Sequence, residues 1–299
     1  MDQHDDLAEL FETHRDRLRA VAQRMLGSRH EADDAVQEAW LRLARTHADT
    51  VVNPAGWLTT VVSRICLDML RSRAARREEL VGDSGEGDRS EARPGSDPEQ
   101  EMLLADSVGR ALLVVLDRLA PDERAALVLH DVFAVPFNEI APIVDRSTAA
   151  TKQLASRARR KVRGTPAVSG AELVRRQHVI DAFLAASRAG DLDAVLAVLA
   201  PNVVRTADPA AVSEDRPIEV RGSRAVAEEI IVFGRNAQFA ETALINGNPG
   251  IVVAPTGRLH RALAFSFEAD RINAYELIGD AERLAGLELA LLSDVLAAG

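Results

Sequence analysis

Residues 152–163 hold six cations and no acid (Lys152, Arg157, Arg159, Arg160, Lys161, Arg163). Cations in that density on one helix suit a polyanion, held through salt-dependent phosphate contacts. At the start of the same stretch stand Ser147, Thr148, Thr151 and Lys152. Such side chains reach base edges from the first turn of a helix lying in a major groove. Arg157 and Arg160, with Arg159 and Lys161, would then follow the phosphates. A second basic stretch, residues 64–77, has five arginines against the single acid Asp68. There Arg64 and Arg71 have the type and spacing to track a phosphate backbone, and Trp57, nearer the helix start, is either a stacking face or core. A third stretch has the opposite sign. Asp33, Asp34, Gln37 and Glu38, beside Trp40 and Leu41, repel DNA; they suit a basic protein groove with Trp40 or Leu41 as anchor, or form a solvated face.

These patches stand out because the chain as a whole is acidic. Its 299 residues carry a net charge of −10, with 47% apolar and 27% charged residues. That is ordinary for packed cores and leaves room for two or three domains. A polyanion must therefore be met by local patches. Residues 78–106 hold ten acids against Arg89 and Arg93, so charge is segregated along the chain. The single cysteine, Cys66, rules out an internal disulfide and reads as a small core residue. No Cys/His cluster has zinc spacing, and no metal or nucleotide cofactor is expected. The acidic N-terminus has no secretory signal, no apolar run reaches the roughly 20 residues that span a bilayer, and a cytoplasmic location without membrane contact is expected.

Three helices must position the first patches. Leu7, Leu10, Phe11, His14, Leu18, Val21, Ala22 and Met25 fall on one helical stripe that Gly27 stops. A second helix starts near His30 and buries Ala32, Ala35, Val36, Ala39 and Leu43. Asn53 is placed as the N-cap of a third, with Pro54 at its first position and Leu58, Val62 and Ile65 inside. A Gly/Ser/Asp/Glu/Pro-rich segment over 78–105 then reads as a flexible acidic linker. Helices return over 101–163: MLLADSVGRALLVVLDRL, ERAALVLHDVF, FNEIAPIV and, capped by Ser147, STAATKQLASRARRKV. The last two form a helix-turn-helix. Pro142 should kink or shorten the third of these helices, and Asp145 must supply the tight turn in a left-handed conformation.

A short linker at 164–170 leads to a different texture. Glu172–Arg188 reads as an amphipathic helix and DLDAVLAVLA as a short one ended by Pro201. Short β-like runs follow: VVRTA, IEVRG, IIVFG (which also fits a helix), GIVVAP, HRALAFSFEA and RINAYELIG. The order, helices first and then a sheet, predicts an α+β module.

The blocks DDAVQEAWLRLA and GWLTTVVSRICLDMLR, then LDRLAPDERAALVLHDVFAVPFNEIAP and TKQLASRARRKV, resemble an extracytoplasmic-function (ECF) RNA polymerase sigma factor over residues 5–163. The resemblance implies two all-α sigma domains, residues 1–77 (region two) and 106–163 (region four), the second a helix-turn-helix. It implies a transcription initiation factor, not an enzyme, with core RNA polymerase (the β′ clamp helices and β flap) and promoter DNA as partners. Asp33, Asp34, Gln37, Glu38, Trp40 and Leu41 would dock on polymerase. Asn53, Trp57, Arg64 and Arg71 would engage the minus-ten element, and Ser147, Thr148, Thr151, Lys152, Arg157 and Arg160 the minus-thirty-five element. Residues 171–299 resemble the SnoaL-like/NTF2-like cone fold carried by a subset of these factors. Residues Asn246–Gly250 (NGNPG) are similar to a glycine-rich motif of that subset, whereas its linker motif is absent. Such a tail would modulate activity in cis and leaves room for a small-molecule ligand. Asp208, Glu219, His260 and Tyr275 are its polar residues suited to acid–base chemistry, with no His–Asp pair at readable spacing. A ligand-responsive helix-turn-helix regulator that does not join polymerase is the alternative reading.

Overall fold

A computed structural model describes residues 3–45, 53–82 and 109–292. They form two compact units. The first holds the described residues up to Gly82 together with Leu119–Arg159; the second holds Gly109–Arg118 and the chain from Arg160 onward.

The first unit opens with α1 (Gln3–Leu26), α2 (Arg29–Ala44) and α3 (Pro54–Gly82). Gly27, at φ +73°, ends α1 as expected. Ser28 caps α2, its Oγ accepting from the Glu31 N–H. Asn53 caps α3 through Oδ1 and the Gly56 N–H at 3.1 Å, with Pro54 next in line. Leu18, Val21, Met25, Ala35, Leu43, Leu58 and Cys66 are among the side chains buried between the three helices. Helix α3 runs past Arg77 to Gly82, into the segment read as linker; residues 83–105 lie outside the described residues.

The rest of this unit is α5 (Pro121–Leu127), a π-turn (Val128–Val132), α6 (Phe137–Val144) and α7 (Thr148–Arg163). Pro121 opens α5 where its missing N–H costs nothing. The helix-turn-helix is formed by α6 and α7. Asp145 ends α6 at φ 54°, ψ 53°, the left-handed conformation that the turn demanded. Ser147 caps α7, its Oγ accepting from the Ala150 N–H at 3.2 Å. Pro142 lies inside α6, which is only 8 residues long.

The second unit contains α4 (Arg110–Leu116), α8 (Gly170–Ala189), α9 (Leu192–Val198) and α10 (Ser223–Phe233), and α11 (Ala281–Gly286). Its sheet, in the order β2-β1-β6-β5-β4-β3-β7, comprises β1 (Leu199–Ala207), β2 (Glu219–Arg221), β3 (Ala240–Ile245), β4 (Asn248–Val253), β5 (Arg261–Glu268), β6 (Arg271–Ile278) and β7 (Leu289–Ala290). Among the described residues only the β1–β6 pairing is parallel. Helices α8 and α9 precede the sheet, and α10 and α11 fall between its strands.

Three local readings change. The IIVFG run is the end of α10, not a strand, because Val226 and Ala227 are buried and Ile230 and Ile231 pack on the same core at helical spacing. Pro201 does not end α9; it lies in β1, in the stretch between Leu199 and Val204 where pairing with β6 shifts register and no ladder N–H is needed. The segment AETALI, not anticipated as a strand, is β3. The NGNPG motif forms the β3–β4 hairpin turn, with Asn246 and Gly247 both at positive φ. A Cβ on Gly247 would come within 2.8 Å of the Thr165 carbonyl, and the Ala167 N–H donates to the Gly247 carbonyl at 2.8 Å.

Burial pushes the Cys66 thiol up from 9.0 to about 12, opposed more weakly by the Arg124 charge and a backbone hydrogen bond. The thiolate is the nucleophile, so Cys66 should resist iodoacetamide at pH 8 in the folded chain and react at once in denaturant. Rapid alkylation of the native protein would contradict this packing. The unfolded chain loses this proton first, so stability should fall as pH rises from about 9 toward 12.

Candidate polymerase and nucleic-acid interfaces

The acidic face of α2 holds together through local ion pairs. Asp33 accepts from Arg19 Nε at 2.6 Å, Glu38 from Arg42 Nε at 3.0 Å, and Asp34 lies 3.9 Å from His30. Gln37 is exposed, and Leu41 keeps 42% of its surface, a large apolar side chain left in water. Trp40 is half-buried, its ring 5.2 Å from that of Phe11. Asp33, Gln37 and Trp40 line a groove of 330 Å³ between α1 and α2, together with Phe11, Arg15 and Arg19. The result is an amphipathic surface, acid and amide beside an aromatic, of the kind a basic helical partner fits.

The residues proposed for the minus-ten element all sit on or before α3. Asn53 is exposed, with its side-chain oxygen committed to the cap; Trp57 is half-buried one turn on. Both arginines are already engaged. Arg64 donates to the Pro142 carbonyl at 2.9 Å. Arg71 donates through Nε and Nη2 to Asp122 Oδ1 at 3.2 and 2.9 Å. Arg73, by contrast, is structural: it donates to the Leu26 carbonyl and pairs with the buried Glu31.

On α7 the helical period sorts the candidates. Ser147, Thr148, Lys152, Arg157 and Arg160 are exposed. Thr151 is a correction: it is wholly buried, its hydroxyl donating to the Ser147 carbonyl at 3.0 Å. It stands on the stripe of Leu154, Ala155, Ala158 and Val162, which faces the core, so it cannot reach a base edge. Arg159 also leaves the phosphate-facing set. Two 2.6 Å bonds to Asp131 hold it, and the hydrogen bond to that carboxylate raises its guanidinium pKa. Arg157 stays half-exposed while lying 3.4 Å from Glu123. The sequence did not point to Asp122, Glu123 and Asp131 as the counter-charges, because no local spacing ties them to arginines 28 or more positions away.

The tail's polar candidates lie on separate segments, Asp208 after β1, Glu219 on β2, His260 before β5 and Tyr275 on β6. The Asp208 carboxylate accepts from the Gly279 and Asp280 N–H groups at 2.9 and 3.0 Å and pairs with Arg283, a structural knot. Glu219 pairs with Arg221 on β2. Partial burial, then the Arg261 charge, draws the His260 pKa down. Tyr275 is buried among Phe183 and Phe265, ring centroids 5.9 and 5.4 Å away, and burial raises its hydroxyl pKa. Beside this aromatic core, Arg205, 1% exposed, is tied to Glu229 and to the Pro217 and Ile218 carbonyls. A cleft of 360 Å³ in this unit lies elsewhere, lined by Leu112, Asp181, Arg188, Glu241, Thr242 and Leu291. Burial raises the Asp181 pKa there, against the His178 charge and a Thr242 hydrogen bond. Among the described residues no group of His, Cys, Asp and Glu is arranged to hold a metal, and no helix is long and apolar enough to cross a membrane.

Comparison with known proteins accounts for the two helical blocks and extends into the tail. Residues 10–76 match Sigma-70 region 2 and residues 109–162 match Sigma-70, region 4. The ECF RNA polymerase sigma factor SigJ of Mycobacterium tuberculosis is 42% identical over 82% of this chain and 80% of its own length. The probable ECF RNA polymerase sigma factor SigI of the same species is 33% identical over 93% of this chain and 94% of its own. The crystal structure of M. tuberculosis SigJ covers 93% of this chain and 98% of its own, with 33% identity and a TM-score of 0.44. With α2 acidic and amphipathic, α3 and α7 basic and the relatives similar from end to end, the chain belongs to the ECF RNA polymerase sigma factors, which direct polymerase to promoters in transcription initiation.

Proposed function

We propose that the α2 face carrying Asp33, Asp34, Gln37, Glu38, Trp40 and Leu41 docks on the β′ clamp helices of core RNA polymerase. In the same reading α3 engages the minus-ten element through Asn53, Trp57, Arg64 and Arg71. The exposed face of α7 engages the minus-thirty-five element through Ser147, Thr148, Lys152, Arg157 and Arg160, with region four on the β flap. The observation that carries it is the division of α7 into a buried apolar stripe and an exposed cationic face, since only the latter can meet phosphates.

The tail modulates the factor in cis, and α4 is the point of contact this reading relies on. Matched by the region-four family, α4 is packed within the tail's own unit. Gly109 offers α4 no side-chain cap. The Glu241 carboxylate on β3 supplies one, accepting from the Arg110 and Ala111 N–H groups at 2.9 and 2.8 Å. Beyond the other end, Arg118 donates to the Leu284 and Ala285 carbonyls at 2.8 and 3.0 Å. A Cβ on Gly257 would come within 2.6 Å of Leu113, so β-loop and helix are in close contact. The reading gives the tail no chemistry: Asp208 and Tyr275 are taken up by structure. The cleft beside Asp181 remains the place for any small-molecule ligand.

Two outcomes test these assignments. Lys152→Ala should weaken promoter binding at all sequences and lower the slope of log affinity against log salt by about 1; an unchanged slope removes Lys152 from the phosphate contacts. Glu241→Ala removes a cap worth about 1–2 kcal/mol. Amide exchange at Ala111 should then quicken roughly tenfold or more, and transcription in vitro should shift. Unchanged exchange would mean that Glu241 does not hold α4; unchanged transcription, also after truncation at Arg163, would remove the cis role.

A further inference from the structure

The exposed side of α7 is itself divided. The buried stripe of Thr151, Leu154, Ala155, Ala158 and Val162 fixes one direction across the helix. At 3.6 residues per turn, Lys152 and Arg157 stand about 100–120° from that stripe, one on each side. Ala149, Gln153 and Ser156 stand about 140–165° from it, between the two cations. These side chains are all exposed. Over the first half of α7 the direction away from the core is therefore an uncharged ridge with a cation on either flank. Arg160 shares that direction about two turns beyond Gln153, roughly 10 Å further along the axis.

This order matches the cross-section of a major groove, where phosphates line both walls and base edges form the floor. Lys152 and Arg157 suit the walls and the ridge suits the floor, at the end of the helix from which base edges are read. The three ridge side chains differ in what they can discriminate. Ala149 carries only a methyl group. The Ser156 hydroxyl donates or accepts, so it suits more than one base. Gln153 carries a donor and an acceptor side by side on one planar amide. Its place is the one that burial denies to Thr151, two positions earlier on the opposite face.

We propose that Gln153 selects adenine at one position of the minus-thirty-five element. The inference rests on the reading that α7 lies in the major groove of that element. Adenine presents N7 as an acceptor and its N6 amine as a donor, so the Gln153 amide nitrogen donates to N7 while the amide oxygen accepts from N6. Guanine presents two acceptors, N7 and O6, and leaves the amide oxygen facing one of them. Cytosine offers a donor alone, and thymine an acceptor beside a methyl group. A matched two-bond pair discriminates about 5- to 150-fold against the wrong base.

Selection from duplexes randomised around the minus-thirty-five position tests it, with the full-length chain bound to core RNA polymerase. The unaltered chain should enrich sequences with adenine at one position. Gln153→Ala should flatten the preference at that position alone, by about 5- to 150-fold, and leave the neighbouring bases as they were. Gln153→Arg should move the preference there from adenine to guanine, since a guanidinium pairs with N7 and O6. A side chain that merely supported the fold would not exchange one base for another. Gln153 is exposed, so neither variant disturbs the core. An adenine preference that survives Gln153→Ala overturns the assignment, as does a loss of preference spread over every position. Those results leave the groove reading standing. If the unaltered chain enriches no sequence at all there, the groove reading falls and the Gln153 assignment with it.

Discussion

The left-handed backbone at Asp145 is the constraint on which the DNA-facing geometry depends. With φ at 54° it turns the chain from α6 into α7 within three residues. That corner sets which side of α7 is buried. Once Leu154, Ala155 and Ala158 face inward, the 3.6-residue period decides the rest. Thr151 is drawn into the interior and Lys152, Arg157 and Arg160 are turned out. Aspartate accepts this conformation at modest cost because its short polar side chain tolerates it.

A second constraint is charge balance. Arginines meant for phosphates exist also without DNA, and an acidic chain gives them other partners. Asp122, Glu123 and Asp131 take Arg71 and Arg146, Arg157, and Arg159 respectively. The arginine ends of the first three pairs keep 42%, 53% and 50% of their surface, so each pair is worth at most about 1 kcal/mol and weakens with salt. The Arg159–Asp131 pair differs: it is bidentate and half-buried, which fits a structural part.

The tail follows another logic. Phe183, Phe265 and Tyr275 belong to its buried core, and Arg205 pairs with Glu229. Its polar groups are spent on its own loops and on α4. Asp208 ties the β1 end to the Gly279–Asp280 turn, Glu241 caps a helix more than a hundred residues earlier, and the Asn246–Gly247 turn receives the short linker at Ala167. The tail thereby holds α4 through hydrogen bonds and close packing.

Much was determined by the sequence alone, because it rests on local rules. Caps at Asn53 and Ser147, the stop at Gly27, the turn at Asp145 and the helical stripes all depend on neighbours within one or two turns. The family resemblance, carried by DDAVQEAW and the basic helix, placed the two sigma regions. Tertiary structure alone decided the rest. IIVFG fits strand and helix alike, and the core that other segments build decides for α10; β3 was missed although its hairpin with β4 is local, its other neighbour β7 lying more than forty residues on. Thr151 was read by position rather than by face. The counter-charges of Arg64, Arg71 and Arg159 and the cap on α4 lie dozens to more than a hundred residues away. No spacing rule reaches that far, since such contacts depend on how whole elements pack.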